Sequence, residues 1–171
     1  MATRLYRVDR TFIVPLYIDL ILVGVMLILS FFRRVTPAEP IVLSILTAIF
    51  GLVAFIFIRK STYIDEEGVA VSSAFSRKRL LWEQITCVDA VRVGRKIYLL
   101  LTTTKGFIVI PNTYEKFYDL VRDVASRVDA GRVERHVVEI LDNPLHRVFD
   151  KVVAWGLALF FAVVIVLRAI A

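Results

Sequence analysis

Three long apolar stretches set the limits on what this chain can fold into. Phe12 to Phe32 runs for 21 residues with Asp19 as its one charge, and Pro40 to Ile58 runs for 19 residues with none. Each is long enough to cross a hydrocarbon core of about 30 Å. Only Arg33 to Glu39 lies between them, so the two form a tight antiparallel hairpin. The third stretch, Val152 to Leu167, has 16 charge-free residues, at the short edge of the spanning range. Arg168 can snorkel to the far headgroups and complete that crossing. A helix lying flat in the interface is the alternative, but Trp155 to Leu167 has no polar face to leave in water, so a span is expected. A cleaved signal sequence is excluded for the first stretch. Its apolar core is too long, and Phe31-Phe32-Arg33-Arg34 offers no small-residue cleavage site.

Composition agrees with a membrane protein. The hydrophobic fraction of 58% and the mean hydropathy of +0.71 exceed those of an ordinary soluble domain. A formal net charge of +6 raises the question of nucleic acid, and its distribution answers it. Residues 1–60 hold seven basic against three acidic side chains, whereas 61–151 hold fourteen against thirteen. The excess lies at membrane flanks, and the clustering that a nucleic-acid face needs within a soluble domain is missing. Arg4, Arg7, Arg10, Arg59, Lys60, Arg147 and Lys151 fall on one side of the spans, against Arg33, Arg34 and Arg168 on the other. The expectation is a multi-pass protein of the cell membrane with its N-terminus and middle segment in the cytoplasm. The single cysteine, Cys87, excludes an intrachain disulfide and fits a reducing compartment.

Between the spans the periodicity changes from helical to alternating. Tyr63-Ile64-Asp65 leads into a turn at Glu66-Glu67-Gly68, where Gly68 is free to take a positive φ. Residues 69–75 alternate as a half-buried strand does, and Ser76-Arg77-Lys78-Arg79 reads as a charged hairpin loop. A strand from about Leu80 continues through Trp82 and Ile85 to Arg92, and residues 93–96 turn it. Ile97 to Thr103 runs back, Thr104-Lys105-Gly106 turns again, and Phe107 to Ile110 forms a short strand ended by Pro111. Asn112, with Glu115 at capping-box spacing, is expected to start a helix. Phe117, Leu120, Val121, Val124 and Val128 form one apolar stripe along it. A shorter amphipathic helix is expected from Arg132 to Leu141, stopped by Asn143-Pro144.

Several short strands followed by one capping helix, with Trp-Glu-x-Ile at mid-domain, resemble the bacterial pleckstrin-homology-like domains of small membrane proteins. The residues that carry the resemblance are Ile64 to Val69 (with Gly68), Leu81-Trp82-Glu83-Gln84-Ile85, Gly106 to Pro111 and the helix from Tyr114. The resemblance covers about residues 61–128 and implies a bent, partly open antiparallel β-barrel with a C-terminal helix closing one end. It also implies roles as scaffold, assembly factor or stress protein, although fold alone does not transfer function. The expected fold class is therefore membrane α plus β. Its divisions are an arm and two-helix transmembrane hairpin over 1–60, the pleckstrin-like domain over 61–130, an amphipathic linker helix over 131–147 and a third transmembrane helix over 148–171.

Candidate sites are sparse. Asp19 is a carboxylate within a span, costly there, and so a candidate for pairing across helices or with a partner subunit; a shallow, hydrated position is the competing reading. Arg59, Lys60, Arg77, Lys78, Arg79, Arg95 and Lys96 are candidates for anionic headgroups, against a reading as solvated turns. Trp82 is expected in the core, with Glu83 capping or pairing locally, and Cys87 as a small buried hydrophobe. His136 and His146 have no ligand-spaced companions, so no metal, cofactor or catalytic residue is expected, and no enzyme. An open barrel leaves a groove between an edge strand and its terminal helix, where an extended peptide can add. The expected role is a non-enzymatic adaptor or scaffold for membrane-protein partners or a homo-oligomer. A lipid sensor and a small channel subunit built on Asp19 are the alternatives.

Overall fold

The computed structural model describes residues 3–32, 38–145 and 148–170. Arg33, Arg34, His146 and Arg147, used above for orientation and ligand spacing, lie outside the described residues. The chain divides into two compact units. One is helical and holds residues 10–58 and 148–171; the other is β-rich and holds residues 1–9 and 59–147.

The helical unit consists of α1 (Arg10–Phe32), α2 (Ala38–Ile58) and α5 (Val148–Ile170). All three are long and apolar enough to cross a membrane. Helix α1 packs against both α2 and α5. Its inward stripe is Pro15, Asp19, Val23, Met26 and Ser30, a spacing of four, four, three and four that keeps one face inward. Val23, Met26 and Leu43 form the buried centre, against Phe50 of α2 and Phe161 of α5, whose rings meet edge to face at 6.0 Å. Arg168 near the end of α5 pairs with Glu39 in the first turn of α2, so α5 and α2 run antiparallel.

The β-rich unit holds two antiparallel sheets. The first has the order β1-β2-β3-β4, with β1 at Arg4–Arg7, β2 at Ser61–Ile64, β3 at Gly68–Ser72 and β4 at Arg77–Leu81. The second has the order β5-β6-β7, at Ile85–Val93, Lys96–Thr103 and Gly106–Pro111. Helix α3 (Phe117–Ala125) and helix α4 (Arg135–Asp142) follow. Ile64, Val69, Ile85, Val88, Leu99, Leu101 and Ile110 pack with Phe117, Leu120, Val121 and Val124 of α3 in one core. The apolar stripe expected for that helix is therefore its buried face.

Several local expectations are corrected. The N-terminal arm, grouped above with the hairpin, forms a strand of the β-rich unit. Arg77, Lys78 and Arg79 lie in β4 rather than in a loop. The turn falls earlier, where the Ser73 amide bonds the Ser76 carbonyl at 2.8 Å and the Ser73 hydroxyl does so at 3.1 Å. The strand through Trp82 is broken by a 3₁₀ turn at Trp82–Gln84 that carries the chain between sheets. Asn112 is buried and does not cap α3, whose cap position is Lys116, and the Glu115 amide donates to the Arg7 carbonyl at 2.8 Å. The helix starts only at Phe117, after Lys116 takes a left-handed conformation (φ 57°), and ends at Ala125 rather than at Gly131.

Gly68 is required for a reason other than the expected one. Its φ is not positive, in contrast with the turn residues Gly94 (φ 59°) and Gly106 (φ 139°). A Cβ at Gly68 would instead stand 1.9 Å from the Leu80 carbonyl oxygen, across the β3–β4 pair. A backbone oxygen cannot rotate aside, so Gly68→Ala is expected to destabilise the β-rich unit by about 3 kcal/mol, the upper range for overpacking. Thermal unfolding of the purified full chain checks this; a melting temperature within a degree of the parent contradicts it.

Candidate functional site

The site that stands out is a groove of about 600 Å³ between β1 and the start of α3, lined by Arg4, Leu5, Tyr6, Arg7, Glu115, Lys116, Asp119, Arg122 and Asp123. Strand β1 is the edge of the first sheet. On its outer side the Arg7 carbonyl accepts from Glu115 and the Asp9 amide donates to Thr113. N–H and C=O of one strand residue point the same way, and the direction alternates along the strand. Leu5 shares the parity of Arg7 and Asp9, so its amide and carbonyl point away from β2. Among the described residues nothing bonds to them. The edge is thus closed at Arg7 and open at Leu5, with the first turns of α3 as the opposite wall.

Asp123 ties the two walls together. Arg4 Nη1 donates to Asp123 Oδ1 at 2.6 Å, and the Tyr6 hydroxyl donates to Asp123 Oδ2. Tyr6 is buried, and a hydrogen bond to a charged acceptor is worth about 1.5–3 kcal/mol. The Arg4 side chain is 59% exposed, so its pairing contributes less. Burial, reinforced by the Asp123 carboxylate, pushes the Tyr6 phenol up to about 12. Nothing in the sequence marked Tyr6 or Asp123, and Arg4 stood out only as a charge flanking the membrane. The available signal was the alternation of Tyr6 and Val8, too short to be noticed beside a 21-residue apolar run.

The basic candidates are not gathered together. Arg79 is committed to Asp65 and Glu67, at 2.8 Å each. Arg77 and Lys78 are exposed on β4, while Arg95 and Lys96 are at the β5–β6 turn on the other sheet, and Arg59 and Lys60 join α2 to β2. Arg79 serves the turn before β3. There Asp65 Oδ1 accepts the amides of Glu67 and Gly68, and its carbonyl accepts both Trp82 Nε1 at 3.2 Å and Arg127 Nη1 at 2.9 Å. Desolvation alone would raise the Asp65 carboxyl, but the two amides and the Arg79 guanidinium together hold it below its ordinary range. Trp82 is part-buried beneath the Arg127 guanidinium, and Glu83 is exposed in the 3₁₀ turn. Ile85 is fully buried, and Pro111 ends β7 beside Tyr98.

The structure also makes a pairing that spacing could not reveal. Asp89 on β5 meets His136 Nδ1 at 3.2 Å, and the Cys87 thiol lies 3.8 Å from Glu134. Cys87 is only half-buried, and burial together with Glu134 and Asp89 pushes its thiol up. No three His, Cys, Asp or Glu side chains among the described residues are arranged to hold a metal ion. In the helical unit, Asp19 is 2% exposed and its Oδ1 has no hydrogen-bond partner among the described residues. It faces the interior of the three helices, about 13 Å of helical rise beyond Arg10.

No family model, curated protein or solved structure matches this chain.

The Tyr6–Asp123 link has a pH signature. The folded phenol ionises above its ordinary value, so the stabilisation is complete below about pH 10 and is lost as the pH rises toward 12. An ultraviolet titration is expected to show Tyr6 ionising near 12 in the parent, and earlier in Asp123→Asn. Identical titration of the two proteins contradicts the link.

Proposed function

We propose that this chain is a multi-pass membrane protein whose cytoplasmic, pleckstrin-like β unit is an adaptor: an extended segment of a partner membrane protein adds to β1 in the groove beside α3. The observation that carries the reading is the open stretch of edge at Leu5, facing a groove of about 600 Å³ whose far wall is a helix. A segment entering there continues the pairing that residues 113–115 begin, gaining main-chain hydrogen bonds from Leu5 and side-chain contacts from α3. Anchoring both molecules in one bilayer raises their effective concentration, so a short edge suffices. Two antiparallel sheets with a helix closing the core support a pleckstrin-like domain, three long apolar helices support membrane insertion, and the flanking arginines support the cytoplasmic orientation. Lipid sensing is less favoured because the basic side chains are divided between two sheets and Arg79 is already paired. Catalysis is not proposed: the Tyr6 hydroxyl beside the Asp123 carboxylate is buried and held in its phenol form.

A photoreactive residue in place of Arg122, on the groove wall, tests the reading in native membranes. The expected product is an adduct with an extended segment of another membrane protein, lost on Leu5→Pro. That substitution removes an amide with no intrachain role, at an edge that tolerates proline. Adducts with lipid alone, or an adduct indifferent to Leu5→Pro, overturn it.

A further inference from the structure

Phe75 is the most exposed large apolar side chain described in the β-rich unit, at 80%. It sits in the turn between β3 and β4, where glycine, proline, asparagine, aspartate and serine are the usual residues. Turn chemistry therefore gives no reason for a phenylalanine there. The turn is closed by its own bonds. The Ser73 amide and hydroxyl donate to the Ser76 carbonyl, and the Ser76 amide donates to the Ser73 hydroxyl at 3.3 Å. Phe75 is thus displayed on a short, internally bonded tip, and a surface that takes it up has little chain to order.

Strand register decides what that tip can meet. Arg7 faces Ser61, Ser61 faces Ser72 and Ser72 faces Arg77, so these four form the first row across the sheet. At about 4.8 Å per strand, Arg77 lies about 10 Å from Ser61, and the tip projects beyond that row. Ser61 is three residues past Ile58, the last residue of α2, and three residues reach at most about 10 Å. Arg7 stands three residues before Arg10, the first residue of α1. With those helices spanning a bilayer, both chain entries into it start from the row that ends at the β3–β4 tip.

Charge follows the same direction along the strands. Arg77 and Lys78 are exposed at this end of β4, and Arg7, Arg59 and Lys60 complete a basic line about 14 Å long. Asp65, Glu66 and Glu67 lie in the β2–β3 turn at the other end of the sheet, where Asp65 and Glu67 hold Arg79. Asp9 and Glu115 are acids near the row, and both lie at the β1 edge, three strands from Arg77. A basic cluster immediately cytoplasmic of a span is the pattern that meets anionic headgroups. An apolar side chain beside such a cluster seats at the boundary between headgroups and acyl chains. A line of charge with one apolar point suits a flat anionic surface. A protein partner would need contact area that a four-residue tip lacks.

We propose that the β3–β4 tip docks on the bilayer that anchors the chain, Phe75 entering the headgroup–acyl boundary while Arg77 and Lys78 meet anionic headgroups. The inference rests on membrane insertion as read above, and describes a standing contact rather than the sensing of a signal lipid. It leaves the Leu5 edge, on β1, open to a partner.

The test uses the full chain in a Cys87→Ala background, reconstituted into liposomes of phosphatidylcholine with or without anionic phosphatidylglycerol. A nitrobenzoxadiazole label on Ala74→Cys, beside Phe75, is compared with the same label on Glu66→Cys at the far end of the sheet. With anionic lipid present, nitroxide-bearing lipid is expected to quench the first at least threefold more than the second. Phe75→Asp should remove most of that difference, and Phe75→Leu should keep it, which separates loss of docking from a disturbed turn. Arg77→Gln with Lys78→Gln, or omission of the anionic lipid, should at least halve it. Equal quenching at the two positions, or indifference to Phe75→Asp, overturns the docking. Equal quenching of the tip in neutral and anionic liposomes overturns the headgroup contact. Resistance to alkaline extraction is scored in parallel. A chain that is extracted fails the insertion reading itself, whereas an inserted chain with an unquenched tip fails the docking alone.

Discussion

The pairing of Arg4–Arg7 with Ser61–Ile64 is the constraint on which the β-rich unit depends. Both long helices of the hairpin lie between those strands in sequence, so the sheet closes only across more than fifty residues. An unstructured loop of that length opposes closure, although the cost grows only slowly with length. An antiparallel helical hairpin removes much of it, because the start of α1 and the end of α2 lie at the same end of the pair. Burial of Tyr6 and Val8 and the Asp123 link on α3 then hold the short strand in register. This arm forms one wall of the groove.

Tight local chemistry at the other corner of the sheet supports the same architecture. Gly68 lets β3 approach β4 closely, and the Asp65 turn gathers Arg79 on its Oδ2 and Trp82 and Arg127 on its carbonyl. Those interactions use the residues that would otherwise look like a basic or aromatic binding patch. The open edge at Leu5 and the outer apolar face of β5–β7 are accessible, two surfaces of different chemistry. The first offers backbone hydrogen bonds, the second contact area without them. Asp19 is a separate matter: its buried Oδ1, without a hydrogen-bond partner among the described residues, carries a desolvation cost that the surrounding packing has to offset.

Much of the architecture was legible in the sequence wherever periodicity was long. The three apolar helices, the β5–β6–β7 meander and the stripe of α3 could all be read from spacing. Short elements and non-local partners could not. The stretch Arg4-Leu5-Tyr6-Arg7 has too few residues to show a period, and Arg77-Lys78-Arg79 has the composition of a loop but pairs as a strand. Asn112 and Glu115 have the spacing of a capping box, yet the cap position is Lys116 and the Glu115 amide bonds Arg7. The groove was foreseeable as a kind of feature, an edge beside a helix, but not as a place. Its edge strand comes from the opposite side of the hairpin in sequence, and nothing local to Asp123 points to Tyr6.

The most direct measurement is a disulfide between Leu5→Cys and Tyr63→Cys in the full chain with Cys87→Ser. These residues face each other in a non-hydrogen-bonded pair, where Cα atoms approach within the reach of a disulfide. The account requires rapid, near-complete intramolecular bridging of this pair and little bridging of Leu5→Cys with Ala70→Cys, one strand further on. Equal bridging of both pairs, or of neither, would mean that the N-terminal arm is not the edge of the sheet, and the groove would lose its wall.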